Sequence, residues 1–181
     1  LSAWLLHPAT WRGEAALEEI RKTSGNSSVE LMTCDFASQK QIRELARKFL
    51  SKHDRLDVLI NNAGLMMNKP VRTEDGLEMT FAVNHLGYFL LTHLLLELIK
   101  KSAPARIINV ASLAHRTGTI NFDDLQSENE FSSMRAYRQS KLANIMFTYE
   151  LARRLAGTSV TVNCLHPGII GTNIARHMPK L

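Results

Sequence analysis

Four short apolar segments alternate with longer amphipathic segments along the chain, and this alternation limits the fold more than any other feature. Each short segment is rich in Val, Ile and Leu and nearly continuously apolar, which predicts a strand buried on both faces of a parallel sheet. The predicted strands are 28–33, 56–60, 106–110 and 159–165, and the predicted helices are 12–23, 38–53, 74–100 and 132–156. Together they predict an α/β doubly wound fold with right-handed crossovers.

The segment 38–53 carries the clearest helical pattern. Its apolar residues recur at a spacing of 3.6 behind Ser38 and Gln41, which have the spacing of a capping box, and its polar face is strongly charged. The apolar stripe consists of Ile42, Leu45, Ala46, Phe49 and Leu50. We therefore expect this helix to pack on the sheet through that stripe.

Composition excludes several classes of protein. The chain has 181 residues, 45% of them apolar and 22% charged, which fits one globular domain. The net charge of +5 comes largely from basic pairs on predicted polar helix faces, so we predict no nucleic-acid partner.

Cys34 and Cys164 stand far apart in apolar runs, so neither a disulfide nor a metal site is predicted, and a reducing compartment fits best. The apolar run 86–99 is too short to span a bilayer, which favours a buried helix.

Polar and small residues follow all four predicted strands. Asp35 follows the first, Asn61-Asn62-Ala63-Gly64 the second, Ser112 the third and His166-Pro167-Gly168 the fourth. Such residues also form ordinary turns, and at any single position that interpretation is the simpler one. Four occurrences at the strand ends, where doubly wound folds bind ligands, favour a binding site instead.

Tyr137 and Lys141 stand four residues apart on the last predicted helix, so the phenol and the ammonium share one helix face. An ammonium beside a phenol lowers the pKa of the phenol, which is about 10 when unperturbed. The pair therefore predicts a tyrosine that donates or accepts a proton. By itself such a pair arises easily by chance, and its weight comes from the ordered set of polar motifs around it.

These motifs resemble those of the short-chain dehydrogenases/reductases. The matching residues are Asn61-Asn62-Ala63-Gly64, Asn84 in Val-Asn-His-Leu-Gly, Ser112 in Asn-Val-Ala-Ser, Tyr137-x-x-x-Lys141, and Pro167-Gly168 with Thr172. Within the family the chain is most similar to the retinol dehydrogenase group, through Asn-Asn-Ala-Gly-Leu-Met-Met at 61–67, Ser-Leu-Ala-His at 112–115 and Ser-Lys-Leu-Ala-Asn at 140–144. The resemblance runs from about Arg12 to about Met178.

The resemblance implies a Rossmann-type fold and a hydride transfer between NADP(H), more than NAD(H), and an apolar alcohol or aldehyde of retinoid kind. Tyr137 would exchange the proton, Ser112 would bind the same substrate oxygen, Lys141 would hold the nicotinamide ribose, and Asn84 would hold a water beside Lys141. The cofactor would further contact Asp35, Asn61, Asn62, Ala63, Gly64, Pro167, Gly168 and Thr172. Also implied are a homodimer and, for a full-length parent, a place at the cytoplasmic face of the endoplasmic reticulum membrane, reached through segments that this sequence does not contain.

The sequence departs from the family pattern at both ends. It contains no glycine-rich phosphate-binding turn, residues 1–11 do not match the group, and 12–181 look like a partial domain that lacks the first strand and the last strand. Residues 2–6 are expected to form one substitute strand beside 28–33. We expect a chain so shortened to be poorly stable and to bind the cofactor weakly, which micromolar NADPH binding would contradict. The alternative function is a non-catalytic variant that acts by pairing with intact relatives.

Overall fold

The structure, a computed structural model, describes residues 2–7 and 10–168, and its strands and helices alternate as the sequence predicts. The strands are β1 (Ala3–His7), β2 (Val29–Thr33), β3 (Val58–Asn61), β4 (Ala105–Val110) and β5 (Val160–Leu165). The helices are α1 (Thr10–Ser24), α2 (Gln39–Lys52), α3 (Met79–Phe81), a π-helix (Ala82–Leu86), α4 (Gly87–Lys101), a 3-10 helix (Leu113–Thr117) and α5 (Ser133–Arg154). The predicted α/β class is confirmed, and the four predicted strands lie within two residues of observed ones at each end.

All strand pairs are parallel, but the described residues form two separate sheets. One sheet contains β1 and β2, with Ala3 paired to Val29, and the other has the order β3-β4-β5. The strand predicted over 2–6 is thus present beside β2, as expected. No hydrogen-bonded strand joins the two sheets within the residues that the structure describes.

Helix α2 forms as its pattern predicts. Ser38 is the N-cap, and its hydroxyl accepts a hydrogen bond from the Gln41 amide at 3.3 Å. The reciprocal half of the capping box is absent, because the Gln41 side chain accepts from the Asp35 amide instead, at 3.0 Å. The Ser38 hydroxyl also donates to the carboxylate of Glu74. Four of the five predicted apolar residues are buried, while Leu50, at the edge of the stripe, remains exposed.

The long helix predicted over 74–100 begins later than expected, and this prediction was wrong at its start. Residues 74–78 form a turn in which Gly76 has a φ of +77°, a conformation that a helix cannot contain. The buried carboxylate of Glu78 then accepts hydrogen bonds from the amides of Thr80 (2.9 Å) and Phe81 (2.7 Å) and so caps α3. The helix is also not uniform, because a π-helical turn lies between α3 and α4.

The apolar core lies between one face of the sheets and the helices α2, α4 and α5. Inward-facing strand residues such as Leu59, Ile107 and Val162 are buried there. On the opposite face of the three-stranded sheet Val58, Ile60 and Leu165 are exposed in the described structure, with Ile60 at 59%. The core is therefore built on one side of the sheet.

The segment Met79–Lys101 is long and apolar enough to cross a membrane by length and composition alone. Of its most apolar window, 56% is buried inside the fold, so this segment is a core helix in the described structure.

Cys34 and Cys164 are both free thiols, and burial raises the pKa of Cys34 to about 11. No group of His, Cys, Asp and Glu that could hold a metal occurs among the described residues.

Trp4 links the two-stranded sheet to helix α2, and its removal tests that link. The indole of Trp4 lies 5.0 Å from the ring of Phe49 and 4.5 Å from that of His53. We predict that Trp4→Ala lowers the free energy of unfolding by about 2 kcal/mol, through lost aromatic packing. Urea unfolding followed by circular dichroism measures this change. The matched control is Trp11→Ala, which removes an indole that is 67% exposed; equal losses in the two variants would contradict the assigned role.

Candidate active site

The polar motifs predicted from the sequence meet around the N-terminal half of α5. Tyr137 and Lys141 lie on this helix, Asn84 lies in the π-helix, and the segment from Asn61 to Gly64 leaves the end of β3. The side chain of Asn84 contacts the backbone just after Gly64 and the hydroxyl of Ser140 on α5. The predicted convergence of three separate motifs is therefore present in the fold.

Lys141 is a buried cation. Its side chain is 2% exposed, and Nζ donates a hydrogen bond to the carbonyl oxygen of Val110 at 3.0 Å, at the end of β4. Nζ also lies 5.7 Å from the centroid of the Tyr137 ring, as the i, i+4 spacing predicts. Burial disfavours the charged form and lowers the pKa of Lys141 to about 8. The ammonium thus persists at neutral pH while being only weakly solvated.

Tyr137 and Ser112 both keep reactive groups available. The phenol of Tyr137 is half-buried, and its hydroxyl has no hydrogen-bond partner among the described residues. Ser112 caps the 3-10 helix by accepting from the Ala114 amide at 3.2 Å, which leaves its hydroxyl hydrogen free to donate. The same short helix ends at Gly118, where a Cβ would lie 2.8 Å from the carbonyl oxygen of Arg138. This close approach fixes the segment that follows Ser112 against α5 at Arg138, the residue after Tyr137.

Asn84 joins the π-helix to the loop that follows β3. Its side-chain amide is fully buried and donates to the carbonyl of Leu65 at 3.0 Å and to the hydroxyl of Ser140 at 3.1 Å, while Oδ1 accepts from the Leu65 amide at 2.9 Å. The backbone carbonyl of Asn84 accepts from the side chain of Asn144 at 2.9 Å. The predicted water beside Lys141 stays a prediction, since the side chain of Asn84 is occupied by protein groups.

The segment Asn61 to Gly64 is buried at its first residue and accessible after it. The side chain of Asn61 is buried and donates to Thr92 at 3.0 Å and to Asn109 at 2.8 Å. Asn62 and Gly64 are exposed, and Ala63 is half-buried. A Cβ at Gly64 would lie 3.5 Å from Oδ1 of Asn84 and 3.8 Å from Nζ of Lys141. Gly64 therefore lies next to the side chains of Asn84 and Lys141.

The remaining predicted residues lie on other elements. Asp35 is exposed after β2, where Oδ1 accepts from the amide of Ala37 at 2.9 Å. Pro167 and Gly168 are exposed after β5, and Gly168 has a φ of +88°. Thr172 lies outside the described residues. The structure thus joins Asn84, Lys141, Tyr137 and Gly64 by contact, and places the others at the ends of their strands.

Three buried polar residues support this site without having been predicted. The hydroxyl of Tyr88 donates to the carbonyl of Ala63 at 2.6 Å, and burial raises the pKa of Tyr88 far above its usual value. Asn109 bonds to Asn61 and donates to Thr148 at 2.9 Å. Asn144, the third, contacts Asn84. The signal in each case was a polar group inside an apolar run, which is typical of buried hydrogen-bond networks.

The burial of the Lys141 ammonium lowers the free energy of unfolding by an amount that can be measured. Unfolding restores the pKa from about 8 to 10.5, which corresponds to a cost of about 3 kcal/mol for the buried charge. The folded pKa is the lower one, so this cost is fully present below pH 8 and disappears as the pH rises to 10.5. We predict that Lys141→Met is more stable than the parent protein at pH 7, and that its advantage shrinks through this window.

Urea unfolding of both proteins at several pH values measures the difference. The matched control is Lys40→Met, which removes an exposed ammonium from α2 and should change the free energy of unfolding by less than about 0.5 kcal/mol. A gain for Lys141→Met that is independent of pH would show that the lysine is not buried as a cation.

The chain is similar to known proteins in family model, in sequence and in fold. The model of a family described as short chain dehydrogenase matches residues 5–180. The chain is 52% identical over 166 residues to retinol dehydrogenase 11 of Homo sapiens, covering 92% of this chain and 52% of that protein. It is 54% identical over 155 residues to retinol dehydrogenase 14 of Homo sapiens, covering 86% and 46%. The chain spans about half the length of these relatives.

Solved structures show the same fold. An uncharacterised protein from Mycobacterium paratuberculosis superposes with a TM-score of 0.80 at 38% identity, covering 96% of this chain and 61% of the other. The RhlG/NADP active-site complex from Pseudomonas aeruginosa gives a TM-score of 0.72 at 27% identity, covering 97% and 65%. These results confirm the predicted Rossmann-type fold and the resemblance to the retinol dehydrogenase group.

Proposed function

Because the chain belongs to the short-chain dehydrogenase family, we propose that it transfers a hydride between NADP(H) or NAD(H) and an apolar alcohol or aldehyde. The observation that carries this proposal is the pairing of Lys141 with Tyr137. A buried ammonium lies against a phenol whose hydroxyl has no protein partner within the described residues. Such an arrangement provides a proton donor and acceptor that awaits a substrate oxygen.

Tyr137 is the proton-transfer group in this proposal. In the oxidation of an alcohol the phenolate accepts the hydroxyl proton, and in the reduction of an aldehyde the phenol donates it to the carbonyl oxygen. Lys141 places a positive charge 5.7 Å from the centroid of the Tyr137 ring, in a poorly solvated setting. Ser112 donates its free hydroxyl hydrogen to the same substrate oxygen and so orients it.

The residues at the nicotinamide end fit a dinucleotide cofactor. Gly64 lies beside Nζ of Lys141, since a Cβ there would be 3.8 Å from it, and we assign this ammonium as the donor to the ribose hydroxyls. The cofactor, when bound, supplies or accepts the hydride. Asp35, exposed at the end of β2, is the acceptor that we assign to the adenosine end, and Pro167 and Gly168 border the nicotinamide. We favour NADP(H) over NAD(H), a preference supported by the RhlG/NADP complex among the similar structures.

For the substrate we propose a retinoid-like alcohol or aldehyde, because the similar curated proteins are named retinol dehydrogenases. Met66 and Met67, which follow shortly after Gly64, are both buried in the described structure. They pack as core residues there, and the apolar part of the substrate must contact other groups. An apolar substrate of this kind partitions into membranes, which fits our proposal that the full-length protein works at the cytoplasmic face of the endoplasmic reticulum.

Replacement of the phenol tests the assigned chemistry. We predict that Tyr137→Phe, made in the full-length protein, lowers kcat for retinal reduction by at least about a thousandfold, because no group replaces the proton donor. NADPH affinity should change less than about twofold, since the ring and Lys141 remain. Stopped-flow turnover and fluorescence titration measure the two effects.

The matched control is Tyr149→Phe on the same helix, where the phenol is 73% exposed and should leave kcat unchanged. Substantial residual turnover by Tyr137→Phe would show that another group transfers the proton. NADH and NADPH compared in the same assay measure the cofactor preference.

A second role, pairing between copies of the chain, is favoured by exposed apolar side chains on α4 and α5. Phe89 of α4 is 50% exposed and lies 5.4 Å from the ring of Phe147 on α5. Met146 and Tyr149 are exposed on the same stretch of α5. We propose that this outer face, defined by Phe89, Met146 and Tyr149, forms the homodimer interface, or the contact through which a non-catalytic copy pairs with an intact relative.

Negative charges introduced by substitution on this outer face should weaken the association of the two subunits. We predict that the double variant Phe89→Asp/Tyr149→Asp raises the dimer dissociation constant by at least about a hundredfold, because two carboxylates per subunit would be buried against their own copies. Sedimentation velocity over a concentration series measures the change. Phe122→Asp, at a 75% exposed loop residue that is not part of this outer face, is the control, and a dimer that persists in the double variant would exclude this interface.

A further inference from the structure

His85 and Asn144 belong to two sequence motifs that the proposed function leaves without a role. His85 stands next to Asn84 in the π-helix, and Asn144 follows Lys141 by three residues on α5. Nδ1 of His85 lies 3.0 Å from Oδ1 of Asn144, although the two residues are 59 positions apart in the chain. The motifs Val-Asn-His-Leu-Gly and Ser-Lys-Leu-Ala-Asn are therefore joined by a side-chain hydrogen bond.

The other end of the Asn144 side chain holds two backbone carbonyls. Nδ2 donates to the carbonyl oxygen of Asn84 at 2.9 Å and to that of Val110 at 3.4 Å, and the residue is fully buried. The Val110 carbonyl is the same group that accepts from Nζ of Lys141. One buried amide thus connects the π-helix to the Val110 carbonyl at the end of β4. The same carbonyl is the acceptor of the buried ammonium.

The contacts fix the orientation of this amide and the tautomer of the histidine. If the amide were reversed, Oδ1 would face two carbonyl oxygens, and three acceptors would repel one another. Oδ1 therefore faces His85, whose Nδ1 must carry the hydrogen. Burial lowers the pKa of His85, so the neutral ring persists. The ring packs 5.2 Å from Phe81 and 6.2 Å from Phe147, which hold it in place.

We propose that Asn144 is a positioning residue of the Tyr137/Lys141 site: its amide, oriented by the Nδ1–H of His85, sets the acceptor that Lys141 uses and ties Asn84 to α5. Without this amide the Val110 carbonyl has only Lys141 as a side-chain donor, and the Asn84 carbonyl loses the partner that anchors the π-helix. The ammonium would then move toward the freed acceptor and away from its place beside Tyr137.

A buried hydroxyl extends the connection to the last residue of β3. Thr148 donates to the backbone carbonyl of Asn144 at 2.7 Å and accepts from Asn109 at 2.9 Å. Asn109 in turn accepts from the side chain of Asn61 at 2.8 Å. The position of Asn144 is thus fixed from the side of the sheet as well as from the π-helix.

The test uses the full-length protein with Asn144→Leu, which keeps the branching and the number of side-chain heavy atoms and removes both the donor and the acceptor. The matched control is Leu151→Ala, a buried core change on the same helix that touches none of these polar groups. The inference rests on the proposed hydride transfer for its kinetic part. We expect Asn144→Leu to lower kcat by about tenfold or more and to raise the KM for NADPH, and Leu151→Ala to change both by less than about twofold at a temperature where all proteins are folded.

Two NMR readouts are independent of turnover. In the parent protein, isotope-labelled histidine should show the neutral Nδ1–H form of His85, and this signature should be lost in Asn144→Leu. The pKa of Lys141, followed through its side-chain carbon, should rise by at least about half a unit in Asn144→Leu, because the Val110 carbonyl becomes available to the ammonium alone. The control variant should leave both signals in place.

The outcomes separate the possibilities. A fall in melting temperature equal to that of Leu151→Ala, with unchanged kinetics and an unchanged Lys141 pKa, would show that Asn144 is merely structural and would overturn the proposal. If the parent protein shows no turnover, the proposed hydride transfer fails, while the NMR readouts still decide the role of Asn144.

A milder pair of variants covers the case in which Asn144→Leu does not fold. His85→Phe keeps the ring contacts with Phe81 and Phe147 but cannot donate to Oδ1 of Asn144, whereas His85→Asn retains a donor at the position of Nδ1. We expect His85→Phe to lower kcat about threefold or more and to shift the pKa of Lys141, and His85→Asn to restore the parent values. Equal behaviour of the two variants would contradict the proposal.

Discussion

The burial of one ammonium group governs the arrangement of this site. Nζ of Lys141 is removed from water by α5, the end of β4 and the loop at Gly64, and a buried charge is costly unless polar groups surround it. The polar groups in contact with this region are neutral amides and carbonyls, namely those of Val110, Asn84 and Asn144. Neutral dipoles stabilise the cation without neutralising it, so its field remains available to the phenol of Tyr137.

The π-helical turn is the local feature that makes room for these dipoles. In a π-helix the backbone hydrogen bond spans one more residue than in an α-helix, as seen from the Gly87 amide to the carbonyl of Ala82. The turn places the side chain of Asn84 against the backbone of Leu65 and directs its carbonyl to α5. Gly87 closes the turn against Phe36, where a Cβ would lie only 2.7 Å from the phenylalanine ring. Packing and polar contacts therefore fix the same short segment.

The sequence predicted those features of the structure that depend on contacts within a single helix. The stripe on α2, its Ser38 cap and the i, i+4 pair of Tyr137 and Lys141 depend only on helix geometry, and all three are present. The start of the helix after Gly76 was misjudged, because apolar periodicity continues through a turn that a positive φ and the Glu78 cap interrupt. Periodicity alone does not locate such a boundary.

The partners of Asn109, Asn144 and Tyr88 could not be predicted, because they come from elements far away in sequence. Asn144 bonds to groups 34 and 60 positions earlier in the chain, and no pattern within α5 identifies them. The sheet has one face closed by α2, α4 and α5, and these polar residues lie within that same packed layer. The position of Tyr137 therefore depends on the core through helix α5 rather than on surface loops, and a site held by packed elements keeps its geometry more closely than one held by loops.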